Sequence, residues 1–380
     1  MDNRNSFITM GKVLFPACIF VFLTCPAICG DIVQNYKKFT FGEEEDNFGK
    51  SVSSLGDLDG DGVDDIAVGA WKDDDGATDA GAVWILFMKP DGTPGKYQKI
   101  SALSGGFQGP LTEENVFGMN VASIGDLDDD GITDIVVGAP WDSDGGTYRG
   151  AVWILFLNTD GTVKQEQKIS DLQGNFTGTL KNWSQFGCSA NVVEDMDGDG
   201  IQELVVGSWT DEENGLQGGS VWILFMTRDG TVKSHQKINQ VNGGFSGDLK
   251  DGDLFGASVC SLGDMDGDGN PEIAVGATGD SDGGAGAGAV WILYLREDGT
   301  VKKHVKLSAN SEFLRNELDE YEYFGRDVSV LNTSLTEDVI LGVGCYGHND
   351  GNIAAGAVRI LQIQKNGKIS RQILISQDSG

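Results

Sequence analysis

The chain has 380 residues, with 58 Asp or Glu against 27 Lys or Arg, and its formal net charge is -31. Nucleic-acid binding needs clustered basic residues, so this composition excludes a general nucleic-acid binder, and it argues against docking on anionic lipid. The 56 glycines predict many turns rather than long helices, and 39% hydrophobic residues in regular blocks argue against disorder.

Residues 1–30 have the features of a secretory signal peptide. Arg4 and Lys12 precede an apolar run from Val13 to Cys29, which ends in small residues. The run contains two prolines and is short for a bilayer span, so a membrane anchor is the weaker alternative. We therefore expect cleavage near Cys29 or Gly30, a secreted or cell-surface location, and no integral membrane segment in the mature chain.

A period of 69 residues organises the remainder, residues 31–380. The dipeptide Phe-Gly recurs at this spacing at Phe48, Phe117, Phe186, Phe255 and Phe324. A Val-Trp-Ile-Leu run (Ser-Val-Trp-Ile-Leu in the third copy) recurs with its tryptophan at Trp84, Trp153, Trp222 and Trp291, and Arg359 takes this place in the fifth copy. A fixed period of this length is typical of a propeller or a solenoid.

Each copy predicts four short strands. In the first copy these are residues 50–55, 65–70, 81–88 and 97–101, which are small, apolar or alternating. Asp91-Gly92, before the last of them, predicts a hairpin turn. No window of useful length has helical periodicity. The predicted fold class is therefore all-β: a β-propeller of four-stranded antiparallel blades in five repeats.

The two ends of the chain lie at the same phase of the repeat. Val33 to Thr40 resembles a fourth strand before the first copy, and the last copy ends near Ile375 in the same way as the others. Two arrangements fit this pattern. The five blades either close a ring with a terminal strand as the clasp, which we slightly favour, or belong to a larger ring.

Four copies carry a nine-residue acidic loop after the first strand. Carboxylates stand at positions 1, 3, 5 and 9, glycine stands at position 6, and the seventh residue offers its backbone carbonyl. Such oxygen ligands suit Ca²⁺, whereas valine at position 12 of every copy excludes an EF-hand. The predicted metal ligands are Asp57, Asp59, Asp61, Val63 and Asp65; Asp126, Asp128, Asp130, Ile132 and Asp134; Asp195, Asp197, Asp199, Ile201 and Glu203; Asp264, Asp266, Asp268, Asn270 and Glu272.

A solvated acidic turn without metal is the alternative interpretation of these loops. Four copies in one register weigh against it, because four close carboxylates repel one another without a cation. The fifth copy keeps no alternating carboxylates between Thr333 and Asp338. We therefore predict about four calcium sites, and none in the fifth copy.

The order Phe-Gly, acidic loop, Val-Gly-Ala and Gly-Ala-Val resembles the FG-GAP repeat of integrin alpha-chain propellers, over residues 41–375. The resemblance implies a propeller with Ca²⁺ in the hairpin between strands one and two of a blade. It also implies that ligands bind the opposite face, formed by the loops that join strands two to three and four to one. The chain departs from integrin chains in having five copies.

Other candidate sites carry less weight. Cys188, Cys260 and Cys345 replace small residues of the repeat and are predicted to be buried and unbridged. A second acidic set follows the second strands, beside Trp71, Trp141, Trp209 and Tyr346. It is interpreted as solvated loops with packing aromatics, or as a rim that binds sugar or a basic protein segment. Asn175, Asn182 and Asn332 begin glycosylation acceptor sequences.

The sequence favours a secreted, calcium-binding propeller that acts as an extracellular binding or adhesion module for a protein or glycan. No catalytic motif is recognised, and the acidic residues recur in several blades, whereas one active site needs only one set. A secreted hydrolase, a lectin and a structural coat or matrix protein remain the alternatives.

Overall fold

The computed structural model describes residues 41–376 apart from 44, 333–337 and 350–354. Twenty strands and no helix are found in this part of the chain. Blade 1 comprises β1 (Phe48–Gly56), β2 (Asp65–Ala70), β3 (Ala82–Met88) and β4 (Pro94–Ile100). Blade 2 comprises β5 (Asn120–Gly125), β6 (Asp134–Ala139), β7 (Ala151–Leu157) and β8 (Val163–Ile169). Blade 3 comprises β9 (Ser189–Val193), β10 (Glu203–Ser208), β11 (Ser220–Met226) and β12 (Val232–Ile238). Blade 4 comprises β13 (Phe255–Gly263), β14 (Glu272–Ala277), β15 (Ala289–Leu295) and β16 (Val301–Leu307). Blade 5 comprises β17 (Phe324–Asn332), β18 (Val339–Cys345), β19 (Ala357–Ile363) and β20 (Ile369–Ser376).

Each blade is one antiparallel sheet whose four strands are paired in chain order. The repeat keeps its register: Trp84 lies opposite Val68, and Trp153 lies opposite Val137 in the next blade. The predicted all-β propeller of four-stranded blades is confirmed. The predicted signal peptide and the strand-like segment Val33 to Thr40 lie outside the described residues.

The hydrophobic core lies between neighbouring blades rather than inside any one of them. Between blades 1 and 2, Ile85 and Phe87 pack in one buried cluster with Trp153 and Phe117. Phe107, from the loop that joins the two blades, stands edge-on to Trp153 at 5.0 Å between ring centroids. Strands β7 and β11 are consequently buried along their whole length. Burial of this apolar surface is the main stabilising contribution to such an interface.

Two glycines in each of blades 1 to 4 allow the next blade to approach closely. A Cβ on Gly138 would lie 2.0 Å from the carbonyl oxygen of Gly187, and Gly207 meets Gly256 at the same distance. Gly150 pairs with Phe186 in a parallel bridge, and this bridge recurs between the other consecutive blades. Any side chain larger than hydrogen at Gly138 or Gly207 would therefore push two blades apart.

The arc is open between blade 5 and blade 1. Gly49, which should meet blade 5 in a closed ring, has no atom within 4 Å of its Cβ position. A Cβ on Gly344 would meet nothing closer than 3.5 Å, and those atoms belong to Asp327 of its own blade. Strands β18 and β19 alternate between buried and half-buried residues, because one face of blade 5 is not covered by described residues. The described blades therefore do not form the five-bladed closed ring.

Blade 5 also replaces the aromatic centre of the repeat with an ion pair. Arg359, at the tryptophan position, is 1% exposed and lies 2.9 Å from the buried carboxylate of Glu322. In the other blades a lysine of the fourth strand lies over the tryptophan ring, for example Lys168 over Trp153 at 5.5 Å. Cys188, Cys260 and Cys345 are buried and free. Burial raises the pKa of the Cys188 thiol to about 11, which keeps it in the unreactive protonated form.

Candidate metal centres

The four acidic loops are tight hairpins between the first and second strands of blades 1 to 4. Their first aspartate closes the loop by accepting backbone hydrogen bonds. In blade 2 the Asp126 carboxylate accepts from the amides of Asp130 at 2.9 Å and Gly131 at 2.7 Å. Gly131 has a φ of +88°, a conformation that most other residues avoid. These hydrogen bonds and the turn at Gly131 keep the loop tight, so that its carboxylates lie close together.

The ninth residue of each loop is buried at the start of the second strand. In blade 2 both oxygens of Asp134 accept backbone hydrogen bonds, from Leu127 at 3.0 Å and from Leu157 at 3.1 Å. Blades 3 and 4 have the longer glutamate here. Glu203 accepts from the Met196 amide through Oε2 at 3.0 Å, and its Oε1 is buried without a hydrogen-bond partner. The same oxygen of Glu272 is also buried and unpartnered.

Each loop brings three carboxylates together, with one oxygen of each within 4.8 Å of the others. The groups are Asp57, Asp59 and Asp61; Asp126, Asp128 and Asp134; Asp195, Asp197 and Asp199; Asp264, Asp266 and Glu272. The other predicted side-chain ligands belong to the same loops but not to these groups: Asp65, Asp130, Glu203 and Asp268. The residues that would offer carbonyl oxygens are half-buried: Val63, Ile132, Ile201 and Asn270.

The electrostatics of these loops fit a bound cation. Burial, together with the neighbouring loop carboxylates, raises the pKa of Asp134 to about 6 and that of Glu203 to about 7. Asp128 Oδ1 is a third buried carboxylate oxygen without a partner. A divalent cation would supply the missing partner and stabilise the ionised forms, so the residues present fit a hard metal ion.

A lysine of the fourth strand contacts each loop, a feature that the sequence analysis missed. Lys96 lies 3.0 Å from Asp59, Lys164 lies 2.8 Å from Asp128, and Lys302 lies 2.9 Å from Asp266. Lys233 makes the equivalent contact with Asp197 at 2.6 Å. The spacing of 69 residues between Lys164, Lys233 and Lys302 is the signal that could have revealed them. These ammonium groups offset part of the repulsion within each loop.

The loop expected to lack metal in the fifth copy lies largely outside the described residues. At its end, the Asp338 carboxylate accepts a hydrogen bond from the Gln362 side chain at 2.8 Å.

Comparison with known proteins identifies the same repeat. The sequence model of the FG-GAP repeat matches residues 48–86, 117–155 and 255–293, in blades 1, 2 and 4. The chain contains FG-GAP repeats and is similar to integrin alpha chains.

Integrin alpha-5 of Xenopus laevis is 33% identical over 185 residues, which is 47% of this chain and 16% of that protein. Integrin alpha-3 of Cricetulus griseus is 32% identical over 191 residues, covering 50% of this chain and 17% of the relative. Integrin alpha pat-2 of Caenorhabditis elegans is 27% identical over 268 residues, or 64% of this chain and 20% of the relative. The matched part therefore spans about a fifth of these relatives or less.

The inner acids of the second acidic set are paired with lysines of the fourth strand of the same blade. Asp73 is 2% exposed, and Lys99 holds it at 2.7 Å and Asp75 at 2.8 Å. The corresponding pairs in the next three blades are Lys168 with Asp142 and Asp144, Lys237 with Asp211 and Glu213, and Lys306 with Asp280 and Asp282. These acids hold the loop between strands two and three against the fourth strand, so their role is structural.

One buried carboxyl outside the metal loops has a strongly raised pKa. Burial, with a smaller contribution from the nearby Asp280, raises the pKa of Asp253 to about 6. Its carboxylate accepts the Lys250 amide at 2.8 Å, as Asn115 accepts from Thr112 and Ser184 from Lys181 in blades 2 and 3. Neutral residues do the same work there, so Asp253 serves as a cap of the loop.

Asp253→Asn is therefore expected to stabilise the protein at neutral pH. The folded-state pKa lies above the unfolded value of 3.8, so ionisation of Asp253 costs stability as the pH rises from about 4 to 6. Removing this cost should raise the unfolding free energy by on the order of 2 kcal/mol at pH 7.5 and leave it unchanged at pH 4. Denaturant unfolding at both pH values measures the difference. The reverse change, Asn115→Asp in blade 2, should lower the unfolding free energy at pH 7.5. An increase in the unfolding free energy of this variant would contradict the explanation.

Proposed function

We propose that the protein is a secreted, calcium-stabilised propeller that acts as an extracellular binding or adhesion module. The observation that carries the proposal is that the same acidic loop gathers three carboxylates in each of four consecutive blades, always including those of positions 1 and 3. Similarity to integrin alpha chains supports an adhesion role, and the signal-like residues 1–30 support secretion. Within the described residues, no helix is long and apolar enough to cross a membrane.

In this proposal each ion is held by the loop carboxylates at positions 1, 3, 5 and 9 and by the carbonyl of residue 7. The buried oxygens of Asp128, Glu203 and Glu272 gain a partner when the ion binds. The protein's own contribution is to hold these oxygens in a closed hairpin between two paired strands, so that little reorganisation is needed. The lysine that contacts each loop competes with Ca²⁺ for the same carboxylate, and this competition lowers the affinity of the loop for Ca²⁺.

A hydrolase built on the same propeller is the weaker candidate. The carboxyls with raised pKa in the metal loops recur at one position in consecutive blades, as a structural ion site requires: Asp65, Asp134, Glu203 and Glu272. One active site would instead need a set confined to one blade. A lectin is a form of the proposed binding module rather than a rival to it.

Calorimetric titration of the chelated protein with Ca²⁺ tests the metal part of this proposal. We expect about four sites in the wild type and three in Asp128→Ala. Lys302→Gln should keep four sites and lower the dissociation constant for Ca²⁺ at the blade 4 site by about tenfold, because the competing contact of the Lys302 ammonium with the loop carboxylates is lost. Uptake of no Ca²⁺ by the wild type would refute the metal assignment. The binding role is tested by probing protein and glycan arrays with the protein in the presence and absence of Ca²⁺.

A further inference from the structure

Two aromatic residues are in contact where blade 2 meets blade 3. Tyr148 lies in the loop between β6 and β7, and Trp183 lies in the loop between β8 and β9. The Trp183 amide donates to the Thr147 carbonyl at 2.8 Å, and the Gln185 amide donates to the Tyr148 carbonyl at 3.1 Å. The two rings meet edge to face, with their centroids 4.9 Å apart, yet Trp183 is 52% exposed. The pair therefore presents aromatic surface to solvent.

Three polar residues adjoin this ring pair. Arg149 and Asn182 are the chain neighbours of the two aromatics, and the Arg149 Nε donates to the Asn182 Oδ1 at 3.1 Å. The Arg149 guanidinium also donates to the Asp171 carboxylate at 2.5 Å, which balances its charge. Asn182 is exposed, and the side chain of Arg149 is 25% exposed. We call Tyr148, Arg149, Asp171, Asn182 and Trp183 the junction site.

This combination of residues is confined to the junction of blades 2 and 3. The same repeat positions carry other residues at the neighbouring junctions: Asp79, Ala80, Ala102, Glu113 and Glu114 between blades 1 and 2; Gln217, Gly218, Gln240, Asp251 and Gly252 between blades 3 and 4; Gly286, Ala287, Ala309, Glu320 and Tyr321 between blades 4 and 5. Features that build the fold recur with the repeat, as the metal loops and the tryptophans do. A set found at one junction is instead what a single binding site requires.

The backbone at Trp183 argues against a purely structural role for its ring. Its φ is +69°, and the equivalent residues Glu114, Gly252 and Tyr321 also have positive φ values. The fold therefore imposes a left-handed conformation at this position, where glycine costs least. An exposed tryptophan adds backbone strain and unburied apolar surface, a combination that is typical of functional sites. A ligand that covers the ring would offset the second of these costs.

The chemistry of the junction site fits a neutral sugar. A pyranose has C–H groups that pack on aromatic rings and hydroxyls that both donate and accept hydrogen bonds, as the polar residues here can do. An anionic ligand is disfavoured by the net charge of -31, by Glu114, which accepts the Tyr148 hydroxyl, and by the exposed Glu212. A cationic ligand would compete with Arg149 for Asp171. A neutral ligand avoids both conflicts.

We propose that the junction site binds a neutral pyranose of an extracellular glycan. A C–H face of the sugar lies against the Trp183 and Tyr148 rings, and its hydroxyls form hydrogen bonds with Asn182, Arg149 and Asp171. The rings supply apolar contact, and the polar side chains select for hydroxyl groups. This names a ligand class for the proposed binding module and rests on that function.

Saturation-transfer NMR of the full chain with methyl β-glucoside and methyl β-galactoside, in millimolar Ca²⁺, tests the proposal. The protein is produced in a host without N-glycosylation, so that Asn182 carries no glycan. We expect at least one of the two probes to bind. Trp183→Ala and Asn182→Ala should each weaken this binding by about tenfold, through loss of ring contact and of a hydrogen bond. Methyl β-glucuronide, which adds a carboxylate to the glucoside, should bind more weakly than the glucoside.

Tyr321→Ala is the matched control. Tyr321 occupies the repeat position of Trp183 at the junction of blades 4 and 5, is 56% exposed and has a φ of +61°, but Ala287, Ala309 and Glu320 replace the polar residues beside it. This variant should bind the sugar like the wild type, and thermal unfolding checks that all three variants fold.

Four results would overturn the proposal: no binding of either neutral probe, binding that survives Trp183→Ala, an equal loss in Tyr321→Ala, or tighter binding of methyl β-glucuronide or of N-acetylarginine amide than of the neutral sugars. Absent sugar binding in a protein that still takes up four Ca²⁺ would refute the sugar assignment alone. Absent Ca²⁺ uptake would instead refute the metal part of the proposed function.

Discussion

Gly138→Ala is expected to destabilise the protein by about 3 kcal/mol or more, because the new methyl group has no space. Its Cβ would lie 2.0 Å from the carbonyl oxygen of Gly187. Neither backbone moves easily, because Gly138 lies within β6 and the Gly187 amide donates to the Gly207 carbonyl at 3.0 Å. Gly138 does not have a positive φ, so alanine is tolerated locally and the whole cost arises at the interface between blades 2 and 3. Denaturant unfolding in saturating Ca²⁺ measures the loss.

Gly344→Ala is the matched control at the open end of the arc. Gly344 occupies the same place in the repeat, but its Cβ would meet nothing nearer than 3.5 Å. We expect a change within about 0.5 kcal/mol. If Gly344→Ala were as damaging as Gly138→Ala, the outer face of blade 5 would be covered in solution, and the arc would be closed there.

Removal of calcium with EGTA is expected to lower the melting temperature by at least several degrees. An ion that binds only the folded state stabilises it by about 1.4 kcal/mol per site at ten times the dissociation constant. Extracellular calcium sites are typically weak, roughly 10⁻⁴ to 10⁻³ M, so millimolar Ca²⁺ fills them and a chelator empties them. The effect adds over four loops and is reinforced by the net charge of -31, which Ca²⁺ reduces.

Differential scanning calorimetry in Ca²⁺, in EGTA and in Mg²⁺ measures this effect. Mg²⁺ should restore little of the lost stability, because it demands a smaller octahedral site and releases its water reluctantly. Asp128→Ala should lose the Ca²⁺ site of blade 2 and keep the stabilisation from about three of the four sites. The fall in melting temperature caused by EGTA should therefore be about a quarter smaller than in the wild type. Identical melting curves with and without EGTA would show that the loops are acidic turns that need no metal.

The repeat made most of the fold predictable. Trp84, Trp153, Trp222 and Trp291 were expected at equivalent places, and they lie opposite the second-strand valines of their own blades. The carboxylate groups were also predictable, because alternate positions in a nine-residue hairpin converge whatever the rest of the fold does. The lysines of the acidic loops were missed, since Lys164 and Asp128 meet only after the fourth strand pairs with the third.

The pairing of Asp73 with Lys99 and of Asp142 with Lys168 was not predicted, for a related reason. Their sequence context is polar and rich in glycine, which indicates a solvated loop. Their burial depends on Lys99 and Lys168, which are more than twenty residues away and enter with the fourth strand. Local composition cannot show such a pairing, because the partner is set by sheet order rather than by sequence distance.

The sequence by itself determined the strands, the blade boundaries and the four acidic loops, because each depends on residues within one period of 69. Only the tertiary structure decided whether blade 5 meets blade 1, since that depends on the rotation accumulated over four interfaces and not on any one repeat. Gly49 and Gly344 have the same sequence context as Gly118 and Gly69, yet they lack the neighbouring blade that the other two contact.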